Sequence, residues 1–444
     1  MFALDSGVTR LACDIQGRAM STAERLIPVA VAAAAAAFSS GALASGFQLI
    51  EQNASGLGNA YSGQAAAAEN ASTIFWNPAG MTRIPGRQVS GALNAIRPSL
   101  KFSDNGGSRS PAGLPQPAGG DNGGDAGDWA FVPNMYLSWQ LTPNLWAGLG
   151  ATAPFGLKTD YDTTFIGRFQ SRVAQVKTID VNPSLAWKIS DAVSIGGGVS
   201  YQKLKLSVQR SFQAAAELPQ IITLEDESWG WNIGAMFNLG QNTRIGVAYR
   251  SAIEYDTIGT VAITGVGIAG GNLNVTVPDT FSWSIAHQLN PQWELLGDIT
   301  YTRWSKIKTI PLVLTSALGP SPAGSVPDSF DLEFRDTFRV GLGANYKMNQ
   351  QFTLKLGAAY DKSPVPDTLH RTAFLPDSDR IWLAAGGKYQ FSKAMTLDFG
   401  YAHLFMDDGD TLRVKGLGAR GQGTLSGTYK NHVDMVSVQV SYSF

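Results

Sequence analysis

The chain ends in the stretch VSVQVSYSF at positions 436–444, where apolar and polar side chains alternate up to a final aromatic residue. Successive side chains of a β-strand point to opposite faces, so this stretch would have one apolar face and one polar face. We interpret it as the last strand of a closed barrel, which pairs with the first strand of the same chain.

The same period-two alternation recurs along the chain after residue 86. The clearest examples are 228–239, 281–289, 352–360 and 395–402. The sequence has no amphipathic helix strong enough to cover so many apolar strand faces in water. Lipid tails can cover them, and a closed sheet leaves no unpaired edge in the membrane. For residues 87–444 we therefore predict an all-β fold, a transmembrane antiparallel β-barrel, in preference to a soluble β-sandwich or propeller.

The composition agrees with this prediction. The 444 residues include 49 glycines and 10% aromatic residues, but only 16% are charged, whereas soluble domains carry about 25%. No run after residue 44 approaches the roughly 20 apolar residues that a membrane-spanning helix requires. The formal net charge of -1 gives no electrostatic basis for binding nucleic acid.

Residues 1–44 have the layout of a secretory signal peptide preceded by extra sequence. Arg18 and Arg25 precede an apolar run at 26–38, and small residues at 42–44 form an A-x-A cleavage site. A secreted chain with membrane-spanning strands is expected in the bacterial outer membrane.

We expect the mature chain to begin at Ser45, and either Met1 or Met20 can serve as the translation start. Cys13 is the only cysteine and precedes the predicted cleavage site. The mature chain would then carry no thiol, which excludes disulfide-stapled folds and thiolate metal sites. We predict no metal and no cofactor.

The predicted strands are joined by connections of two lengths. Short turns occur at 141–144 and 289–292. Long Gly- and Pro-rich connections occur at 103–128, 209–227, 308–333 and 404–428. Outer-membrane barrels have short periplasmic turns and long extracellular loops, which matches this difference.

Residues 45–86 break the strand pattern. They are rich in small residues and turn formers, and they precede the first strand. The simplest interpretation is that they fold back and plug the lumen. Their glycines lack the spacing of a dinucleotide-binding loop and follow no strand, which disfavours a phosphate-binding role.

These residues resemble the hatch of the FadL-type long-chain fatty acid transporters, a family that also includes aromatic-hydrocarbon uptake proteins. The matching pieces are Gly46-Phe47-Gln48-Leu49, Gly56-Leu57-Gly58, Ala60-Tyr61-Ser62-Gly63 and Asn77-Pro78-Ala79. The resemblance continues in order through Pro154-Phe155-Gly156-Leu157, Tyr301-Thr302-Arg303-Trp304-Ser305, Ser363-Pro364-Val365-Pro366 and Leu375-Pro376-Asp377-Ser378-Asp379-Arg380.

The resemblance implies a barrel of about fourteen strands whose lumen is plugged by an N-terminal hatch, residues 45–86. It also implies passive uptake of hydrophobic small molecules, long-chain fatty acids or related hydrocarbons. Cargo would pass from an outer groove to an inner pocket and leave sideways through an opening beside a kinked third strand. The implied partners are this substrate and outer-membrane lipid with lipopolysaccharide, and the implied state is a monomer.

The sequence around Pro154 is compatible with such a kink. Pro154 cannot donate to a strand ladder and Gly156 weakens one, so we expect the kink from Ala153 through Phe155 to Gly156. The alternative is that Pro154 marks an ordinary strand end.

The resemblance also places Asn77, Pro78 and Ala79 at the opening. In this interpretation Asn77 bonds to backbone groups that the kink has freed. The alternative is a simple Asn-Pro turn.

Cargo binding is assigned by the resemblance to the start of the hatch. Phe47, Gln48, Leu49 and Ile50 would touch the cargo and release it by moving.

A fatty-acid carboxylate also requires a cation. Lys205 lies about where the family has a basic residue, with Lys203 on the same strand face and Arg210 beyond it. Lys308 is a further candidate, but Pro311 stands about where another lysine is expected. This departure leaves an uncharged aromatic cargo open, and each cation could instead be a solvated charge at the rim.

Two other functions compete with uptake through a plugged barrel. An outer-membrane hydrolase needs a Ser/His or Asp/His constellation, and the histidines at 287, 370, 403 and 432 show no such spacing. We therefore predict that the chain is not an enzyme. A general diffusion porin is the second alternative, and it would have no plug.

Overall fold

The computed structural model describes residues 46–444, and the predicted signal peptide at 1–44 lies outside the described residues. Apart from short helical turns and loops, these residues form β-strands. No helix in this range is both long and apolar enough to cross a membrane.

Twenty strand segments follow one another between residues 87 and 443 of the described chain. The first ten are β1 (Arg87–Asp104), β2 (Ala130–Thr142), β3 (Leu145–Thr152), β4 (Gly156–Asp160), β5 (Val173–Lys188), β6 (Val193–Gln213), β7 (Glu217–Leu239), β8 (Thr243–Arg250), β9 (Ile253–Ile263) and β10 (Gly267–Val277). The other ten are β11 (Thr280–Gln288), β12 (Trp293–Thr302), β13 (Thr309–Leu314), β14 (Asp328–Asp331), β15 (Thr337–Lys347), β16 (Phe352–Asp361), β17 (Arg380–Gln390), β18 (Met395–Met406), β19 (Gly409–Val414) and β20 (Thr424–Ser443). Short helical turns occur at Leu57–Asn59, Gln64–Ala67, Thr73–Trp76, Pro78–Arg83 and Trp304–Lys306.

The sheet closes on itself, because β20 pairs antiparallel with β1 from Gln88↔Ser443 to Asp104↔Gly427. Six barrel strands are interrupted and consist of two segments each. These are β3 with β4, β8 with β9, β10 with β11, β12 with β13, β14 with β15, and β18 with β19. Over the described range, twenty segments with six interruptions therefore make fourteen barrel strands, and the predicted closed antiparallel barrel is confirmed.

The C-terminal strand shows how the sequence alternation produces the barrel wall. On β20, Val436 is 52% exposed and Val438 is 44% exposed, whereas Ser437 and Gln439 are buried. In a soluble protein such exposed apolar rows would promote aggregation, but in a bilayer they contact lipid tails. The apolar side chains therefore face outward and the polar ones face the lumen.

Two of the predicted long connections are mostly strand. β6 continues to Gln213 and β7 begins at Glu217, so most of 209–227 is a paired hairpin. Most of 404–428 likewise belongs to β18, β19 and β20. These extensions carry outward charges such as Glu225, which removes the apolar alternation by which a strand is recognised in sequence.

Residues 46–86 lie against the inward faces of strands on different sides of the barrel. A Cβ added at Gly234 of β7 would collide with the Asn77 side chain, and one at Gly357 of β16 would collide with the backbone of Asn59. Glycine at these positions permits close backbone approach. The segment therefore occupies the barrel interior at this level.

A buried ion pair ties this segment to the barrel. The Lys355 Nζ lies 2.8 Å from Glu69 Oε2 of the segment and 3.5 Å from Asp398 Oδ1 of β18. It also donates to the Ser55 carbonyl at 2.8 Å. Because Lys355 and Asp398 are both only 1% exposed, removing Lys355 would leave the Asp398 carboxylate buried without the cation that contacts it.

Candidate functional site

The barrel wall is incomplete where the third barrel strand is interrupted at residues 153–155. β2 and β3 pair only as far as Met135↔Ala151, and β4 pairs with β5. Residues 130–134 of β2 therefore have β1 as their single strand partner among the described strands. This leaves an opening between β2 and the third barrel strand, and Pro154, which has no N–H to donate, lies at its edge.

The first residues of the N-terminal segment pair with this interruption. The Leu49 N–H donates to the Pro154 carbonyl at 2.8 Å, and the Gly156 N–H donates to the Phe47 carbonyl at 2.8 Å. Gln48 and Phe155 stand opposite each other in an antiparallel bridge. The segment thus supplies the hydrogen bonds that a regular neighbouring strand would otherwise supply.

Side chains from both edges of the opening hold the next residues of the segment. The Asn94 and Asn134 side-chain amides each donate to the Glu51 carbonyl at 2.9 Å. The Tyr136 hydroxyl donates to the Gln52 carbonyl at 2.8 Å, and the Gln52 side chain reaches the 153 carbonyl at 3.1 Å. Residues 47–52 therefore form the surface that lies behind the opening.

Glu51 is an unusual member of this surface. It is 1% exposed, and neither carboxyl oxygen has a hydrogen-bond partner within residues 46–444. Burial raises the pKa of Glu51 to about 8. The side chain is therefore mostly uncharged at neutral pH, which lowers the cost of burying it.

An apolar cavity of about 800 Å³ lies on the extracellular side of the segment. Phe47 forms part of its wall, and the Phe47 ring packs against Phe155 and Trp304 with centroid distances of 5.8 and 5.0 Å. The remaining lining is almost entirely aliphatic and aromatic, and includes Leu157, Leu204, Leu206, Ile222, Leu273 and Ile310. The apolar lining of the cavity suits a hydrophobic small molecule.

A basic recess of about 310 Å³ adjoins this cavity, and Phe330 and Phe374 line both. We define the basic recess by Arg210, Arg413, Lys415 and Asp328, whose charges sum to an excess of two positive. Burial lowers the pKa of Lys415 although Asp328 opposes the shift, and Arg413 adds to the lowering. Asp331 and Asp367, which lie outside the recess lining, also act on Arg413 and offset part of this positive charge.

The cations of the basic recess are held in place by neighbouring groups. Arg210 is paired with Asp328. Arg413 Nη1 donates to the Leu369 carbonyl at 2.6 Å, and Lys415 Nζ donates to the Ser329 carbonyl at 3.0 Å. These bonds keep both cations at the wall of the recess.

A second cavity, also of about 800 Å³, is lined by Gln48, Leu49 and Ile50. Its other walls carry threonine and serine hydroxyls together with Arg250 and Arg339. Residues 47–50 therefore lie between an almost wholly apolar cavity and one of mixed lining that also carries polar and charged groups.

The structure brings some predicted site residues together. Phe47, Gln48, Leu49 and Ile50 meet the interruption at 153–156, and Arg210 lies in the basic recess. Sequence reasoning missed Arg413 and Lys415, because they lie in a connection predicted to be irregular. Their one sequence signal is a pair of cations two residues apart, which a strand places on one face.

Lys203 and Lys205 need a correction, because they face outward on β6 and away from the apolar cavity. The Lys203 Nζ lies 3.1 Å from Glu227, and the Lys205 Nζ lies 3.9 Å from Glu225, both outward residues of β7. The side chains between and beyond them, Leu204 and Leu206, line the cavity. The prediction that the two lysines share a face agrees with the structure, but that face is the outer one.

Lys308 does not line the apolar cavity either, although its neighbour Ile307 does. Lys308 is exposed, and its Nζ lies 3.7 Å from Glu333 and 3.2 Å from the Phe334 carbonyl. These partners lie in the extracellular part of the chain.

The Asn77 prediction also needs a correction. Its side-chain amide donates to the carbonyls of Ala65 and Ala235 at 2.8 and 3.0 Å, so its strand partner is β7 and not the interrupted strand. Pro78 and Ala79 approach Gly196 of β6. The backbone groups freed at the interruption are bonded by residues 47–52 instead.

Comparisons with known proteins agree with this architecture. A family model described as "Outer membrane protein transport protein (OMPP1/FadL/TodX)" matches residues 35–444. Outer membrane protein P1 of Haemophilus influenzae is 29% identical, over 91% of this chain and 96% of its own. A long-chain fatty acid transport protein of Shigella flexneri is 28% identical, over 84% of this chain and 91% of its own.

A solved Pseudomonas aeruginosa FadL homologue superposes on the same fold. Its TM-score is 0.82 at 22% identity, and the match covers 90% of this chain and all of that one. From the family match and these likenesses we conclude that the chain is an outer-membrane β-barrel, not an enzyme, and belongs to the OMPP1/FadL/TodX family of outer membrane transport proteins.

Proposed function

We propose that this chain carries long hydrophobic molecules with an anionic head, such as long-chain fatty acids, across the outer membrane by passive diffusion. The observation that carries the proposal is the position of Phe47. Its side chain lines the apolar cavity, while its carbonyl bonds to Gly156 at the interrupted strand. Occupation of the cavity is thereby linked to the closure of the wall.

The apolar cavity suits the hydrocarbon part of such a cargo. Each methylene that leaves water for an apolar site gains about 0.8 kcal/mol. A water-filled pore offers no such gain, whereas this cavity and the bilayer both do. A route that ends sideways in the membrane keeps the hydrocarbon out of water throughout.

The basic recess suits the head of the cargo. Arginine and lysine side chains form charge-assisted hydrogen bonds with carboxylates. A carboxylate near Phe330 and Phe374 would face Arg413 and Lys415 while its chain extends into the cavity. Arg210 would act on the head indirectly, because Asp328 already pairs with it.

Release would follow from displacement of Phe47. A cargo that pushes Phe47 aside strains the Leu49–Pro154 and Gly156–Phe47 bonds, which close the opening from inside. Once these bonds break, the opening between β2 and the third barrel strand leads to the lipid. Residues 45–86 act in this scheme as a hatch, and the barrel works as a monomer surrounded by outer-membrane lipid and lipopolysaccharide.

Cargo charge can be tested with Arg413→Gln/Lys415→Gln. Loss of two charge-assisted bonds should weaken uptake of radiolabelled oleate at limiting concentration by about tenfold or more. Uptake of uncharged toluene should not change. Lys203→Gln/Lys205→Gln is the matched control, because it removes the same charge from the outer face, and both cargoes should enter it normally.

An uncharged aromatic hydrocarbon is the second candidate cargo, favoured by the aliphatic and aromatic lining of the cavity. Equal loss of oleate and toluene uptake in the recess variant would contradict a head-group role. Unchanged oleate uptake would contradict it as well and would favour the uncharged cargo.

A further inference from the structure

A charged patch lies on the outer surface of the barrel, on the extracellular side of β11, β12, β15 and β16. We define this rim patch by the cations Arg303, Lys306, Arg335 and Lys362, the anions Asp279, Asp336 and Asp379, and the tyrosines Tyr301 and Tyr360. None of these side chains lines the apolar cavity or the basic recess. The uptake route described above therefore does not use them.

The rim patch lies at the height of the outer membrane interface. Tyr301 follows the first residue of β12 by eight positions, and Tyr360 follows the first residue of β16 by eight. At about 3.3 Å per residue and a tilt of about 40°, eight residues rise roughly 20 Å from the periplasmic turns. Since the apolar band of such barrels is about 25 Å tall, the two tyrosines lie near its outer edge, and the charged groups that follow them in the chain lie at the level of the outer headgroups.

Each tyrosine of the rim patch faces outward and bonds to a carboxylate. The Tyr301 hydroxyl donates to Asp336 at 2.7 Å, and the Tyr360 hydroxyl donates to Asp379 at 2.7 Å. Tyr301 is 43% exposed and Tyr360 is 38% exposed. These bonds fix carboxylates just above the apolar wall.

The carboxylates in turn hold the cations. Arg303 contacts Asp279 through Nε at 2.8 Å and Nη2 at 2.7 Å, and Lys306 Nζ lies 3.5 Å from the same carboxylate.

Arg335 and Lys362 lie 3.9 and 3.7 Å from Asp379. Four cations face three anions within the rim patch, and Asp407 beside Asp379 is a further carboxylate that acts on Tyr360.

The arginines of the rim patch remain accessible although they are held. The Arg303 and Arg335 side chains are 49% and 42% exposed. A guanidinium that is oriented but exposed can bind phosphate oxygens with little loss of side-chain entropy.

An acyl surface lies directly below the rim patch. The outward side chains Ile299, Phe338 and Leu342 are 48%, 45% and 69% exposed on β12 and β15. A molecule that matches both surfaces has an anionic head at the interface and hydrocarbon chains beneath it. We propose that the rim patch binds the phosphate groups of an outer-leaflet glycolipid, whose acyl chains lie along β12 and β15.

The test uses the full barrel, purified in mild detergent, and native mass spectrometry. The probes are bisphosphorylated lipid A, the same lipid A after phosphatase treatment, and phosphatidylglycerol. Bisphosphorylated lipid A should bind best, and Arg303→Gln/Arg335→Gln should weaken its binding about tenfold or more. Binding of the dephosphorylated form should be weak and should not respond to the substitutions.

Lys101→Gln/Lys430→Gln is the matched control, because these exposed residues pair across β1 and β20 on another side of the barrel, above the membrane. It should bind bisphosphorylated lipid A like the unmodified barrel. Resistance of each barrel to SDS, seen as its gel mobility before heating, reports folding. If the glutamine variant does not fold, Arg303→Lys/Arg335→Lys keeps the charge but loses the fork, and it should bind with intermediate affinity.

Three results would overturn the proposal. Equal binding of lipid A with and without phosphates would show that contact between its acyl chains and the barrel wall accounts for the binding. Equal binding of phosphatidylglycerol would show a general anionic surface. Equal loss in the control variant would show that net charge, and not the rim patch, is responsible.

Discussion

We call the interface between two neighbouring strands of the wall a seam, and two seams of this barrel differ in how they are closed. β6 and β7 pair without interruption from Val193↔Phe237 to Gln213↔Glu217. β2 and β3 stop pairing at Met135↔Ala151, and the N-terminal segment makes the hydrogen bonds that are missing beyond that point. One seam is closed by the wall itself and the other by a segment from inside.

The difference comes from where proline stands. Pro154 lies between β3 and β4, at a position whose N–H a continuous ladder would require. Pro219 lies in the closed seam, opposite Ser211 near the extracellular turn, and the ladder there continues on both sides of it. Pro154 therefore coincides with an interruption of its strand, whereas Pro219 lies in an uninterrupted one.

Regularising the open seam should have the largest effect. Replacing residues 153–155 with Thr-Val-Thr should let β3 run into β4 and pair with β2 along its length. Uptake of radiolabelled oleate should then fall to the background of cells without the protein, while the barrel keeps its SDS resistance. Uptake at the unmodified rate would contradict a sideways route.

The closed seam offers the matched control for this replacement. Pro219→Thr also removes a proline from a paired strand, and it should leave oleate uptake unchanged. Equal loss in both variants would show that removing any wall proline damages the barrel.

Loosening the interior anchor should have the next largest effect. Lys355→Met would leave the buried Asp398 without the cation that lies 3.5 Å from it and would leave Glu69 with Lys388 alone, a change that costs about 3–5 kcal/mol. Single-channel conductance should rise because the N-terminal segment leaves the barrel interior. Lys388, whose Nζ lies 3.6 Å from Glu69 in a more exposed position, is the control, and Lys388→Met should cost below about 1 kcal/mol.

An unchanged conductance in Lys355→Met would contradict the plugging role of residues 45–86. A rise of the same size in Lys388→Met would show that overall charge holds the segment in place, and not the buried contacts of Lys355 with Glu69 and Asp398.

Titration of Glu51 should have the smallest effect, and it should alter only the docking of the N-terminal segment at the open seam. The folded pKa of Glu51 is raised to about 8 by burial, above the value of an exposed glutamate, so the docked state favours the protonated form. Docking should weaken as the pH rises from the ordinary value of an exposed glutamate to about 8. Over this range Glu51 has already lost its proton in the undocked segment but still holds it in the docked one. Arg380, Asp361 and Arg339 are the charged groups that act on it.

Limited proteolysis measures this docking. Between about pH 6 and about pH 9, cleavage within residues 46–60 should increase in the unmodified barrel and stay constant in Glu51→Gln. Parallel increases in both proteins would assign the pH dependence to other groups.

The sequence was sufficient to predict the barrel, because each strand must place apolar side chains on the face that contacts lipid. The alternating Val436, Val438 and Val440 are one example of the pattern that results. The sequence also located the interruption at Pro154, since a missing N–H is a property of the residue itself. Assignments that depend on which face of a strand is the inner one were less secure.

Lys203 illustrates the limit. Above the membrane both faces of β6 can be polar, so alternation no longer shows which side is the lumen, and a shift of one residue exchanges the faces. Asn77 illustrates another limit, because its partner on β7 is fixed by the fold of residues 46–86 and not by any local pattern. Arg413 and Lys415 are distant from Arg210 in sequence, and only the folded barrel brings the three cations to one recess.

In the proposed route, residues 47–50 must leave the interrupted strand before cargo can pass. Gln48→Cys/Phe155→Cys tests it directly, because these residues are opposed in an antiparallel bridge, at a spacing that a disulfide accepts. Val199→Cys/Trp231→Cys locks a matched pair across the closed seam. We expect oxidation to abolish oleate uptake in the first variant, dithiothreitol to restore it, and neither to affect the second. Unimpaired uptake through the oxidised 48–155 variant would contradict the account.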